Sequence, residues 1–193
     1  MNIGLYFGSF NPIHNGHLII VNHVLNETGL QKIWLILSPQ NPFKTNDELL
    51  NENKRLSLIK KSIRGDKRIT VSDIEFQLSL PSFTINTLGY LKENYPQHIF
   101  SLIMGSDSFQ TLHKWKNFKA IISDYKILIY RRPGFEIANK INAKIKILNA
   151  PLLGISSTEI RKLIKEGKSI RYLVPEKARE EIERNHYYNK LHL

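Results

Sequence analysis

Short apolar runs alternate with longer amphipathic stretches along almost the whole chain, and few folds accommodate that rhythm. A short run rich in Ile, Leu, Val and Tyr reads as a strand covered on both faces. Such runs occupy residues 2–7, 32–38, 68–72, 99–104 and 126–130, with a weaker signal at 144–148. Amphipathic stretches at 17–26, 52–62, 84–94, 157–166 and 175–185 read as helices. Gly29, Gly65, Gly134 and Gly167 fall where elements should stop, and Pro175 is placed to open the last helix. Strand and helix in alternation predict an α/β fold, a doubly wound, mainly parallel sheet with helices on both faces. In such sheets ligands bind beyond the carboxyl ends of the strands, so the segment after the first strand carries the first clues.

At 193 residues the chain fits one domain, with the helical part from about 155 to 193 packed on it. No cysteine is present, which excludes disulfides, thiolate catalysis and cysteine-bound metal. The opening residues MNIGLYFGSF do not read as a signal peptide, and no apolar stretch is long enough to span a bilayer. A cytoplasmic protein without a membrane partner is expected. The 28 basic against 17 acidic residues give a formal charge of +11, which attracts anions of any kind. The lysines are scattered through helices and loops rather than gathered on one face, so a solvated surface is favoured over nucleic-acid binding. Self-association as a homo-oligomer stays open.

The first loop reads Gly8-Ser9-Phe10-Asn11-Pro12-Ile13-His14-Asn15-Gly16-His17. Gly8 is expected to let the chain turn sharply and let a ligand approach the backbone. Gly16 and His17 lead into an apolar helix, whose free N–H groups and positive dipole end favour phosphate. His14 and His17, three apart, project from one side if the helix begins near His14. They read as donors to phosphate oxygens rather than as surface histidines. Their protonation is left open, because the dipole lowers their pKa values and a bound phosphate raises them.

Far along the chain stands Gly154-Ile155-Ser156-Ser157-Thr158-Glu159-Ile160-Arg161. Ser156 or Ser157 suits an N-cap and Glu159 a capping box, so a well-capped helix explains much of it. Hydroxyls and free amides at a helix start, with Arg161 one turn on, also make a polyphosphate cradle.

The first loop resembles the His-x-Gly-His signature of the nucleotidyltransferase superfamily. The second segment resembles its Ile-Ser-Ser-Thr-x-Ile-Arg signature, which holds the ATP β- and γ-phosphates. The resemblance implies a Rossmann-like nucleotidyltransferase fold. It also implies ATP contacts at Gly8, Ser9, Phe10, His14, Gly16, His17, Ser156, Ser157, Thr158 and Arg161, with His14, His17 and Arg161 the catalytic set.

The middle of the chain narrows the family. Ser38-Pro39-Gln40-Asn41-Pro42-Phe43-Lys44 is similar to the Pro-x-x-Pro-x-Lys loop of nicotinate-nucleotide adenylyltransferases. Lys44 reads as a phosphate contact and Arg55, on the next helix, falls where that family carries an arginine; each reads otherwise as an ordinary surface cation. Pro81-Ser82-Phe83-Thr84-Ile85-Asn86-Thr87-Leu88 resembles that family's Pro-Ser-Tyr-Thr-x-Asp-Thr-Leu, with Asn86 in place of aspartate. Amides around Thr84 would receive the nicotinate carboxylate. Gly105-Ser106-Asp107 followed by Leu112 and Trp115 resembles Gly-Ala-Asp with Leu-x-x-Trp, and Lys116 stands where tyrosine is frequent. Trp115 would stack on the pyridine ring or serve as a half-buried core residue, and Lys116 joins the acceptor site. Asp107 would serve ribose hydroxyls or metal. Arg131-Arg132-Pro133-Gly134 matches an Arg-Pro-Gly near the adenine and phosphates.

The resemblance, from about residue 2 to residue 188, implies adenylyl transfer from ATP to nicotinate mononucleotide. Mg²⁺ would be bound mainly through the ATP phosphates, with no dedicated protein metal site. No activated nucleophile is needed, because the attacking phosphate is already anionic. Nicotinamide mononucleotide or phosphopantetheine as acceptor, and a basic nucleic-acid-binding module, are the competing readings.

Overall fold

The computed structural model describes residues 1–40 and 49–189. Among them six strands form one sheet: β1 (Asn2–Gly8), β2 (Lys32–Leu37), β3 (Ile69–Ser72), β4 (Ile99–Gly105), β5 (Lys126–Tyr130) and β6 (Ile145–Leu148). The order is β3-β2-β1-β4-β5-β6, and every neighbouring pair runs parallel. The helices are α1 (Asn15–Glu27), α2 (Glu52–Ser62), α3 (Thr84–Asn94), α4 (Ser106–Thr111), α5 (Phe118–Asp124), α6 (Ser157–Lys165) and α7 (Glu176–Arg184).

The two-residue period of a strand divides the core into two layers. Along β5, Ile127 and Ile129 join one buried cluster while Leu128 and Tyr130 join the other. Val21 and Val24 of α1, Leu58 and Ile59 of α2, Ile160 of α6 and Ile182 of α7 cover the first face. Leu88 and Leu91 of α3, Phe109 of α4 and Ile121 of α5 cover the second. Fully burying one such side chain contributes roughly 1.5–3 kcal/mol, so the two layers dominate the stability. Exposed ion pairs such as Lys92–Asp124 at 3.4 Å add little.

Strands β1 and β4 lie side by side, yet α1 leaves β1 on one face and α4 leaves β4 on the other. The loops at their carboxyl ends therefore diverge, and a crevice opens between them.

The structure corrects several expectations. Helices α4 and α5, and single 3₁₀ turns at Ile74–Phe76 and Leu112–Lys114, lie where no helix was read. Each is too short to show a helical period; burial of Phe109, Leu112 and Ile121 holds three of them, and the turn at Ile74–Phe76 buries Glu75. Helix α1 begins two residues earlier than the apolar pattern suggested, because its cap is His14 rather than a Ser, Thr, Asp or Asn. Gly8 ends β1 and makes no left-handed turn; the turn falls on Phe10, at φ 43. The glycine eases packing instead, since a Cβ at residue 8 would lie 3.0 Å from the Phe10 ring and the ring would have to shift. Gly167, at φ 67, does supply the left-handed conformation that closes α6, with Lys168 N donating to Leu163 O.

Candidate active site

The crevice is floored by the start of α1. His17 N donates to His14 Nδ1 at 3.3 Å, and His14 N donates to His17 Nδ1 at 3.2 Å. The two rings stack with centroids 3.6 Å apart. A backbone N–H can only donate, so both Nδ1 atoms are acceptors here. Each neutral ring must then carry its proton on Nε2, which makes both imidazoles donors at the atom not used by the cap. Phe10 packs edge-on against His17 at 5.0 Å and fixes that ring from the other side.

His14 is 3% exposed. Burial, and then the positive charge of Arg132, pull its pKa from 6.5 to about 4. The protonation that the sequence left open is thereby set for His14, which is neutral at pH 7. The unfolded chain binds this proton below its ordinary pKa while the folded one refuses it until about 4. Stability should therefore fall as the pH drops from about 6.5 to 4, by up to about 3 kcal/mol. Urea unfolding across that range checks the slope, which should flatten in His14→Asn. An unchanged slope in that variant would assign the effect to other groups.

Helix α6 brings the second segment to the same place. Ser156 is the N-cap, its Oγ accepting from Glu159 N at 3.2 Å. Ser157 Oγ donates to Pro12 O at 3.0 Å, and Arg161 Nη1 donates to Asn11 O at 2.9 Å. Residues 157 and 161 lie one turn apart, so both hold the first loop from one helix face. The single hydroxyl proton of Ser157 is engaged by Pro12, which leaves the first-turn amides and the exposed Thr158 hydroxyl as the donors to an anion.

From the β4 end, Asp107 faces Arg132 at 3.5 Å, and Arg132 N donates to Ser106 Oγ at 2.9 Å. Gly105 leaves room for that pair, because a Cβ there would run into Asp107 Oδ1. Gly16 likewise leaves room for the His14 ring, 2.9 Å from where its Cβ would lie. Gly8, Ser9, Phe10, His14, His17, Asp107, Arg132, Ser156, Ser157, Thr158 and Arg161 all wall one cleft of about 380 Å³. Gly16 lines an adjoining recess with His14, His17, Tyr130 and Arg132.

A second cavity opens beside it, walled by Phe7, Gly8, Ser38, Glu75, Ser82, Phe83, Thr84, Ser108, Trp115 and Lys116. Thr84, Trp115 and Lys116 are thus brought together, with Trp115 half-buried and Lys116 Nζ 4.7 Å over the Phe83 ring. Phe83 is the N-cap of α3 and makes no side-chain cap, so it leaves the first amides of that helix for another acceptor. Asn86 is exposed and outside the cavity wall. Lys44 lies outside the described residues. The two cavities share Phe7, Gly8 and Ser108, so they meet over the ends of β1 and β4.

Glu75, Phe83 and Ser108 also line the site although little in the sequence singles them out, and the role of Arg55 is likewise visible only in the structure. Glu75 is 1% exposed and accepts from Ser82 Oγ and Thr87 Oγ1, each at 2.8 Å. Its one signal was a lone charge between apolar neighbours, Ile74 and Phe76. Arg55 is a surface cation on neither count: it is 0% exposed and donates to four backbone carbonyls, of Leu50, Ser9, Ser38 and Pro39.

Two adjoining cavities over the switch point of a parallel sheet, with a histidine-capped helix beneath one of them, define a nucleotidyltransferase. A family model described as cytidylyltransferase-like matches residues 5–163. A Flavobacterium johnsoniae protein named "Probable nicotinate-nucleotide adenylyltransferase" is 47% identical over 193 residues, covering 98% of this chain and 100% of its own. A Cytophaga hutchinsonii protein of the same name is 45% identical over 192 residues, covering 98% and 99%. The structure of Plasmodium falciparum nicotinic acid mononucleotide adenylyltransferase complexed with NaAD superposes with a TM-score of 0.82 at 23% identity, covering 97% of each chain, and shares the fold. The chain belongs to the nicotinate-nucleotide adenylyltransferase family.

Proposed function

We propose that the protein transfers the adenylyl group of ATP to nicotinate mononucleotide, giving nicotinate adenine dinucleotide and pyrophosphate in NAD biosynthesis. The observation that carries this reading is the shared wall of Phe7, Gly8 and Ser108, which lets two bound nucleotides meet end to end. The phosphate of the acceptor attacks the ATP α-phosphorus in line, so positioning and charge neutralisation supply the catalysis. His14 and His17 donate from Nε2 to the transferring group. The first amides of α6 and Arg161 hold the departing pyrophosphate, and Arg132 borders the adenine recess.

On the acceptor side the pyridine ring stacks on Trp115. Its carboxylate takes the uncapped amides at Thr84, with Lys116 as the nearby positive charge. Among the described residues no group of three or more His, Cys, Asp or Glu could hold a metal, and Asp107 is the acidic side chain in the cleft wall. That donor set fits a Mg²⁺ bound through the ATP phosphates and water, with Asp107 as its protein ligand. Mg²⁺ would neutralise phosphate charge. None of the described helices is long and apolar enough to cross a membrane, and a cytoplasmic location fits this chemistry.

Purified protein with Mg-ATP, given each acceptor separately, should release pyrophosphate with nicotinate mononucleotide at a kcat/KM at least about tenfold above nicotinamide mononucleotide. Phosphopantetheine should give none. Equal use of the two mononucleotides would show that the Thr84 site does not select a carboxylate. No release with any acceptor would defeat the assignment.

A further inference from the structure

Glu75 has no part in the reaction described above, yet it forms part of the acceptor cavity wall. It sits in the single turn after β3, at the level of the strand ends. Among the described residues both of its partners are hydroxyls: Oε2 takes Ser82 Oγ and Oε1 takes Thr87 Oγ1. Ser82 and Thr87 flank Phe83 and Thr84, one on the loop that enters α3 and the other in its second turn. One carboxylate thus pins both sides of the short segment that offers its amides to the cavity. Ser82 is 6% exposed and Thr87 0%, so neither hydroxyl has bulk water as an alternative; Ser82 Oγ has Gln40 O as a second, longer acceptor at 3.4 Å.

Burying a carboxylate among neutral groups is costly, and an apolar side chain of the same volume would fill the space more cheaply. An acidic residue in the cavity wall would also repel an anionic substrate. A hydroxyl donor on each oxygen offsets part of the burial cost, and a carboxylate kept there despite the repulsion is accounted for by the segment it holds. We infer that Glu75 is a positioning residue for acceptor selectivity: it fixes the Ser82–Thr87 segment so that the amides at Thr84 meet the pyridine carboxylate. This inference rests on the acceptor reading given above.

In Glu75→Gln the volume stays and one hydroxyl keeps an acceptor, while the amide nitrogen faces the other hydroxyl and cannot accept its proton as the carboxylate did. KM for nicotinate mononucleotide should rise about tenfold, with kcat and the KM for ATP held within about threefold. The preference for nicotinate over nicotinamide mononucleotide should shrink by a similar factor, because only the charged acceptor uses the displaced amides. Ser82→Ala, which keeps the buried carboxylate and one partner, should shift the same KM in the same direction by about twofold to fivefold, and it carries the test if Glu75→Gln does not fold. A folded Glu75→Gln with unchanged KM for the acceptor, or with the KM for ATP rising in parallel, would overturn the inference, as would unaltered selectivity in Ser82→Ala. Wild-type protein assayed alongside separates the two ideas: failure of the wild type to use nicotinate mononucleotide defeats the functional reading, whereas normal wild-type kinetics with an indifferent Glu75→Gln defeats only the role of Glu75.

Discussion

Replacing His17 by alanine is expected to lower turnover by about 10²–10³-fold in a protein that still folds, the loss typical of one preorganised donor to developing charge. The structure explains why turnover, rather than folding, should bear the effect. His17 is half-buried in the wall of the nucleotide cleft, and its Nδ1 accepts from His14 N, so the proton of the neutral ring lies on Nε2. Removing the ring deletes that donor together with one capping hydrogen bond, a cost of about 1 kcal/mol. His14→Ala is a poorer probe. It removes the N-cap acceptor itself from a site 3% exposed, so folding and chemistry fall together. Pyrophosphate release by His17→Ala, set beside its thermal unfolding, decides between the roles. Turnover near that of the wild type would remove His17 from the mechanism, and a collapse in melting temperature would make it a cap alone.

The same pair of histidines shows how far the sequence could be read. Their spacing, three apart after a strand, was enough to place both on one side of a helix start. It could not show that they cap each other, because imidazole is an uncommon cap and the reciprocal bonds depend on φ and ψ at residue 14. The sheet was legible almost to the residue, since strands buried on both faces are nearly continuous apolar runs. Helices α4 and α5 were not, since neither is long enough to display a period. Within the cleft, wall residues carried by chain-local motifs were visible. The long-range contacts were not: Ser157 with Pro12 spans 145 residues, and Arg161 with Asn11 spans 150. Such pairs exist only once the sheet has brought the two ends of the chain together. Glu75 belongs to the same group, because its partners lie beyond a loop that follows no regular pattern.

Arg55 is the sharpest case, and it carries the largest expected stability effect. From sequence it was either the arginine that the family carries at this place or an ordinary surface cation; the structure buries it completely. Its Nε donates to Leu50 O at 2.7 Å, Nη1 to Ser9 O and Ser38 O at 2.7 and 2.8 Å, and Nη2 to Pro39 O at 2.9 Å. One planar fork therefore ties the loop after β1, the loop after β2 and the lead-in to α2, with burial pulling its pKa below the ordinary arginine value. Ser9 walls the nucleotide cleft and Ser38 walls the acceptor cavity, so the same side chain sets the spacing between donor and acceptor. Arg55→Met keeps much of the volume but leaves four part-buried carbonyls without their donors. It should cost roughly 3–5 kcal/mol in urea unfolding. Arg55→Lys should recover little of this, because an ammonium radiates its donors from one atom and cannot span carbonyls on three segments. Where either variant stays folded at low temperature, KM for both substrates should rise together, since both cavities lose a fixed wall. A lysine variant within about 1 kcal/mol of the wild type would mean that water satisfies the carbonyls. The fork would then be a convenience of packing rather than the link between the two halves of the site.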